Sequence, residues 1–175
     1  MVIIITGASH TGKTQLAQKL LDKYQYPYLS IDHLKMGLIR TNMVNLTVYN
    51  DNKLTDTLWP IVREIIKTAI ENKQNLIVEG CYVPSNWQSS FDDTYLQEIK
   101  FICLYMTKSF ITQNYYEIKK HSNDIENRKY DDVSMDELIN DNENYYEKFK
   151  DNGLLVINND YQKNIEKWLG DNNYA

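Results

Sequence analysis

Residues 2–14, VIIITGASHTGKT, constrain the fold more than any other stretch of the chain. Val2–Thr6 is mostly β-branched, the composition of a short buried strand. The next eight residues fit the pattern G-x-x-x-x-G-K-[ST]. Gly7 and Gly12 permit a turn tight enough for the backbone N–H groups of the loop Gly7, Ala8, Ser9, His10, Thr11 and Gly12 to face one anion. Lys13 brings a positive charge to the β- and γ-phosphates of a nucleotide, and Thr14 offers a hydroxyl to Mg²⁺. Gln15–Leu21 reads as an amphipathic helix whose N-terminal dipole favours the same anion. A glycine turn with this spacing also arises by chance, but the strand before it and the helix after it are the context of a phosphate-binding loop.

Strand and helix patterns alternate through the rest of the chain. Strands are expected at Tyr26–Ile31, Asn75–Glu79, Ile99–Met106 and Leu154–Ile157. Ile99–Met106 is apolar on both faces, which suits a central strand. Helices are expected at Lys13–Tyr24, Asp32–Arg40, Thr57–Glu71, from a Ser109 cap to Lys120, from a Ser134–Glu137 capping box to Lys150, and at Tyr161–Leu169. Pro60 is tolerable only near the start of its helix, and Gly153 fits a helix C′ position. Thr41–Lys53 reads as loop, residues 80–94 as loop or broken helix, and His121–Val133 as a polar gap. The alternation predicts a parallel sheet covered on both faces, with ligands at the carboxyl edge of its strands.

Two carboxylates belong to that edge. Asp32 follows the second strand and could accept a proton from a substrate hydroxyl, or simply cap the next helix. Glu79 closes NLIVE before Gly80, where a carboxylate orients a magnesium shell through water; the plain alternative is a strand-end charge in solvent. Arginine is the preferred bidentate phosphate ligand. Arg128 lies in the polar gap, where a lid over the phosphates would sit. Arg40 ends the helix after Asp32, on the substrate side, whereas Arg63 reads as a solvated helix charge. His33, beside Asp32, could line the acceptor pocket or sit on a helix surface, and His10 occupies a variable loop position.

Composition narrows the field. The 175 residues suit a single domain. With a net charge of −5 and no basic cluster, neither nucleic acid nor an acidic membrane is an expected partner. Cys81 and Cys103 lack metal-ligand spacing and read as reduced thiols of a cytoplasmic protein. The N-terminal apolar run is too short for a signal peptide and has no basic segment before it.

GASHTGKTQLAQKLLDKYQYPYLSIDHLKMGLIR, the acid of VEG and NRKYDDVSMDELINDNENYYEKF together resemble the adenylate-kinase-like group of P-loop small-molecule kinases. The resemblance implies a three-layer α/β/α P-loop NTPase fold with a five-stranded sheet in the order 2-3-1-4-5. It also implies ATP and Mg²⁺ as co-ligands, acceptor-side helices over residues 32–72, and a lid over 121–133. The acid after the second strand is similar to the arrangement in kinases of hydroxyl acceptors. A small metabolite phosphorylated by ATP is therefore the expected chemistry, in a monomer or homodimer. Nucleoside monophosphate kinases, polynucleotide 5′-kinases and regulatory nucleotide-binding modules are the alternatives. On this reading Lys13, Asp32 and Arg128 are catalytic, Asp32, His33, Arg40 and Glu79 face the acceptor, and Thr14 with Glu79 hold the metal.

Overall fold

A computed structural model describes residues 1–47, 51–125 and 132–171. The strands are β1 (Val2–Gly7), β2 (Tyr28–Ser30), β3 (Leu76–Glu79), β4 (Ile99–Met106) and β5 (Leu154–Ile157). The helices are α1 (Lys13–Tyr24), α2 (Ile31–Arg40), α3 (Asp51–Glu71), α4 (Asp93–Leu96), α5 (Lys108–Lys120), α6 (Met135–Phe149) and α7 (Tyr161–Asp171). All strand pairings are parallel and the order is β2-β3-β1-β4-β5. This is the expected three-layer α/β/α arrangement. β1 holds the middle of the sheet, and β4 lies one place out, between β1 and β5.

The period of two along β1 divides the core. Val2 and Ile4 join α3 residues Leu58, Val62 and Ile66 on one face. Ile3 and Ile5 join Leu16 and Leu20 of α1, Ile111 of α5 and Ile165 of α7 on the other. Every residue of β1 is buried, as a strand covered on both faces must be. Among the described residues no helix is long and apolar enough to cross a membrane.

Several local expectations change. β2 is shorter than the apolar run, because Pro27 precedes it and Ile31 already belongs to α2. α3 starts six residues early, so Pro60 lies in its interior. Proline there leaves the Asp56 carbonyl without its helical donor, but Asp56 and Pro60 are both exposed, where water can take that role. The buried face includes Leu54 and Trp59, while Ile61 is exposed. Thr107, not Ser109, caps α5, accepting from Phe110 N. The Ser134–Glu137 capping box forms as expected. Gly153 lies beyond the C-terminus of α6 and serves the entry to β5, where a Cβ would stand 2.7 Å from the Phe101 carbonyl oxygen. Residues 80–94, as expected, are loop broken by short helical pieces: a 3-10 turn at Trp87–Ser90 and the start of α4, which Asp92 caps.

Candidate active site

The loop between β1 and α1 is built by its glycines. Gly12 has φ +81 and Gly7 φ +145; a Cβ at Gly7 would lie 2.5 Å from the Leu104 carbonyl oxygen. His10 also sits in the left-handed region, φ 65, an uncommon conformation for a residue with a side chain. Ala8 and Thr11 are buried beneath the loop, and the Thr11 hydroxyl donates to the Ala8 carbonyl at 2.9 Å. Lys13 Nζ donates to the same carbonyl at 2.7 Å and is itself buried.

The neighbouring strand supplies the acid. Pairing of Ile5 with Glu79 brings the end of β3 level with the loop. The Thr14 hydroxyl donates to Glu79 Oε2 at 3.3 Å, and Glu79 is buried. Gly80 lets the chain pass Ile31, to whose Cβ a side chain there would approach within 2.8 Å. Among the described residues no cluster of three His, Cys, Asp or Glu forms a metal site. A hydroxyl beside one buried carboxylate nevertheless fits Mg²⁺, which keeps most of its waters and takes few protein ligands.

Asp32 is not the helix cap. Ser30 occupies the N-cap position of α2, and Asp32 lies in the first turn. Its carboxylate instead pairs with Lys35 one turn on. Lys35 is buried and also donates to the Tyr82 hydroxyl at 3.0 Å. Burial works against the charged lysine, but the Asp32 carboxylate and the Tyr82 hydroxyl outweigh it and hold its pKa above the ordinary value. Burial likewise pushes the Tyr82 phenol up to about 12, with Lys35 opposing. Burial raises the Cys81 thiol as well, against the pull of Lys13, so it is no ready nucleophile.

These groups share one cavity of about 1480 Å³ at the carboxyl edge of the sheet. Ser9, His10, Gly12, Lys13, Thr14, Asp32, His33 and Glu79 all line it, while Gly7, Ala8 and Thr11 form the loop's buried underside. Arg40 is exposed at the last turn of α2 and is not among the lining residues. Arg128, and with it residues 126–131 of the lid expected at 121–133, lies outside the described residues; of the rest, His121–Asn123 form a 3-10 turn at the end of α5. Lys35, Tyr82, Tyr145 and Tyr161 also line the cavity and are not among the residues singled out from the sequence. Only Lys35 had a readable signal, its i,i+3 spacing from Asp32.

No protein-family model matches the sequence, and no curated protein matches it. Solved structures do match in shape. A sugar kinase from Janibacter aligns over 97% of this chain and 92% of its own, with TM-score 0.57 at 14% identity. A deoxyadenosine kinase from M. mycoides, solved with the products dCMP and dCDP, aligns over 98% of both chains with TM-score 0.57 at 18% identity. The fold is that of the P-loop small-molecule kinases. A shikimate kinase from Bacteroides thetaiotaomicron shares it over 97% of each chain, with TM-score 0.55 at 15% identity. At such identities the small-molecule-kinase likeness is one of fold. Function has to be argued from the site itself.

Proposed function

We propose that this protein is an ATP-dependent kinase that transfers the γ-phosphoryl group to a hydroxyl of a small metabolite. The observation that carries this reading is Asp32: a carboxylate in the same cavity as the phosphate-binding loop, released from helix capping and held by a buried lysine. The loop amides and Lys13 bind the phosphates and neutralise charge that grows on the transferred group. Asp32 accepts a hydrogen bond from the acceptor hydroxyl. It takes the proton as the new P–O bond forms and the bond to the ADP oxygen breaks. Lys35 and Tyr82 keep that carboxylate aimed. Thr14, with Glu79 through water, would hold Mg²⁺, which supplies charge neutralisation at the phosphates. Arg128, by its place in the sequence, is proposed to add positive charge to the transferred group.

A screen tests this reading directly. The protein with Mg²⁺-ATP is offered neutral hydroxyl compounds, sugar acids, nucleosides and nucleoside monophosphates, and ADP and phosphorylated product are measured together. Acceptor-dependent ADP with a phosphate ester on a hydroxyl is expected. Transfer to a monophosphate in preference to hydroxyls, or ADP release that no acceptor accelerates, overturns it.

A further inference from the structure

We infer that Tyr161 is a positioning residue for the phosphate-binding loop: its hydroxyl fixes the Gly12–Lys13 peptide so that the Lys13 N–H is presented to the phosphates of the nucleotide. The inference rests on the reading above only in taking nucleotide phosphates as the ligand of the loop.

The Tyr161 hydroxyl donates to the Gly12 carbonyl at 2.8 Å, across a separation of 149 residues. That carbonyl also accepts the Leu16 N–H at 2.9 Å, the first hydrogen bond of α1. Two donors on one oxygen leave the peptide little freedom to rotate. In a planar trans peptide the N–H points opposite to the carbonyl. Fixing the Gly12 carbonyl towards Tyr161 therefore fixes the Lys13 N–H away from it, on the other side of the peptide. Lys13 is the first residue of α1, so this N–H has no acceptor within the helix and is one of the donors an anion needs.

Gly12 makes the contact possible. With φ +81 its backbone is already strained for any side chain, and a Cβ there would stand 2.6 Å from the Tyr161 oxygen and 2.7 Å from its ring. The glycine thus provides room for the tyrosine as well as the turn. Tyr161 is in turn held by its helix. Asp160 caps α7 by accepting from Lys163 N at 3.0 Å, Ile165 is buried against Leu16 and Leu20, and the Gln162 side chain accepts from Lys19 of α1. Enclosure pushes the phenol pKa up, so the hydroxyl remains a donor throughout the physiological range.

The experiment is calorimetric titration of the full chain and of Tyr161→Phe and Tyr161→Leu with Mg²⁺-ATP and, separately, with inorganic tripolyphosphate. Tripolyphosphate has the phosphates without the base and ribose. Tyr161→Phe removes one oxygen and keeps the ring. It is expected to weaken both ligands in parallel, by about five- to tenfold, the worth of one hydrogen bond, with the unfolding temperature nearly unchanged. Tyr161→Leu should weaken both further. Wild-type affinity in Tyr161→Phe overturns the inference. So does loss for ATP alone, which moves the effect to the base and ribose, and so does a Tyr161→Phe protein that fails to fold, which makes the contact purely structural. A wild type that binds neither ligand also overturns it. A wild type that binds both and phosphorylates no acceptor overturns the kinase reading alone.

Discussion

Lys13 turns back onto its own loop, its ammonium donating to the Ala8 carbonyl at 2.7 Å. The charge is thereby kept inside the ring of amides that would surround a phosphate. Thr11 donates to the same carbonyl at 2.9 Å, so the loop keeps one of these two ties when the lysine is lost. Lys13→Ala is therefore expected to fold with little change in unfolding temperature. Its phosphoryl-transfer rate should fall by about 10²–10³-fold or more, because a preorganised charge on the transferred group is gone. Near wild-type turnover of the variant would remove the loop from the mechanism.

Asp32→Asn should separate chemistry from binding. The N-cap of α2 is at Ser30, so no helix cap is lost, and the amide oxygen can still accept from the buried Lys35. The fold is expected to survive, with some loss of stability from the ammonium left without its counter-charge. If Asp32 takes the acceptor proton, turnover should drop by about two to four orders of magnitude while the dissociation constant of Mg²⁺-ATP is preserved. Unchanged turnover with a large loss of stability would return this residue to a structural role.

Lys35→Met keeps the length of a buried side chain and removes its charge. With the partner gone, Asp32 is no longer held against α2, and kcat should fall at least tenfold while ATP affinity holds. Lys35→Arg should recover part of the rate, because it restores a cation to the carboxylate. Equal loss in both variants, together with lower ATP affinity, would mean that Lys35 supports the fold and not the acid.

Alkaline pH should destabilise the folded state. Burial pushes the Cys103 thiol from 9.0 up to about 12, and the Tyr82 phenol from 10.0 up to about 12. Above the unfolded-state values these groups release their protons in the unfolded chain and retain them in the folded one. The unfolded state then binds fewer protons, and stability falls as pH rises. Lys35 acts in the same direction, since its contribution is complete below its ordinary 10.5 and is lost as pH climbs through its raised folded value. Urea midpoints should be level from pH 7 to about 8.5 and then decline towards pH 11. Cys103→Ala should show a shallower decline than wild type over pH 9–11. An identical slope in the two proteins would remove the thiol from the account.

The order and type of the main elements were legible because β1 is an apolar, β-branched run, α1 and α3 carry apolar residues at helical spacing, and a capping box opens α6. The loop was legible because its residues are contiguous. What the sequence hid was non-local. Whether Asp32 caps its helix depends on Ser30 taking that position first, and on Tyr82 arriving from the end of β3 to hold Lys35. Tyr161 meets Gly12 only because β5 returns the chain to the sheet beside β4, and no local pattern records that meeting. The early start of α3 was masked by polar residues around a lone Leu54, and by Pro60, which withholds the helical donor from the Asp56 carbonyl on an exposed stretch of the helix.

The position of β1 at the middle of the sheet has a consequence for synthesis. A ribosome releases this strand before either of its neighbours exists: the Thr6 hydroxyl finds the Gly80 carbonyl 74 residues later, and the pairing with β4 comes later still. Until then an apolar, β-branched segment has no strand to pair with, and every ladder it will join is long-range. The nascent chain must therefore carry Val2–Ile5 without a partner strand until β3 has emerged. Chaperone demand and inclusion-body formation should thus respond to substitutions in β3 and β4 as strongly as to changes in β1 itself.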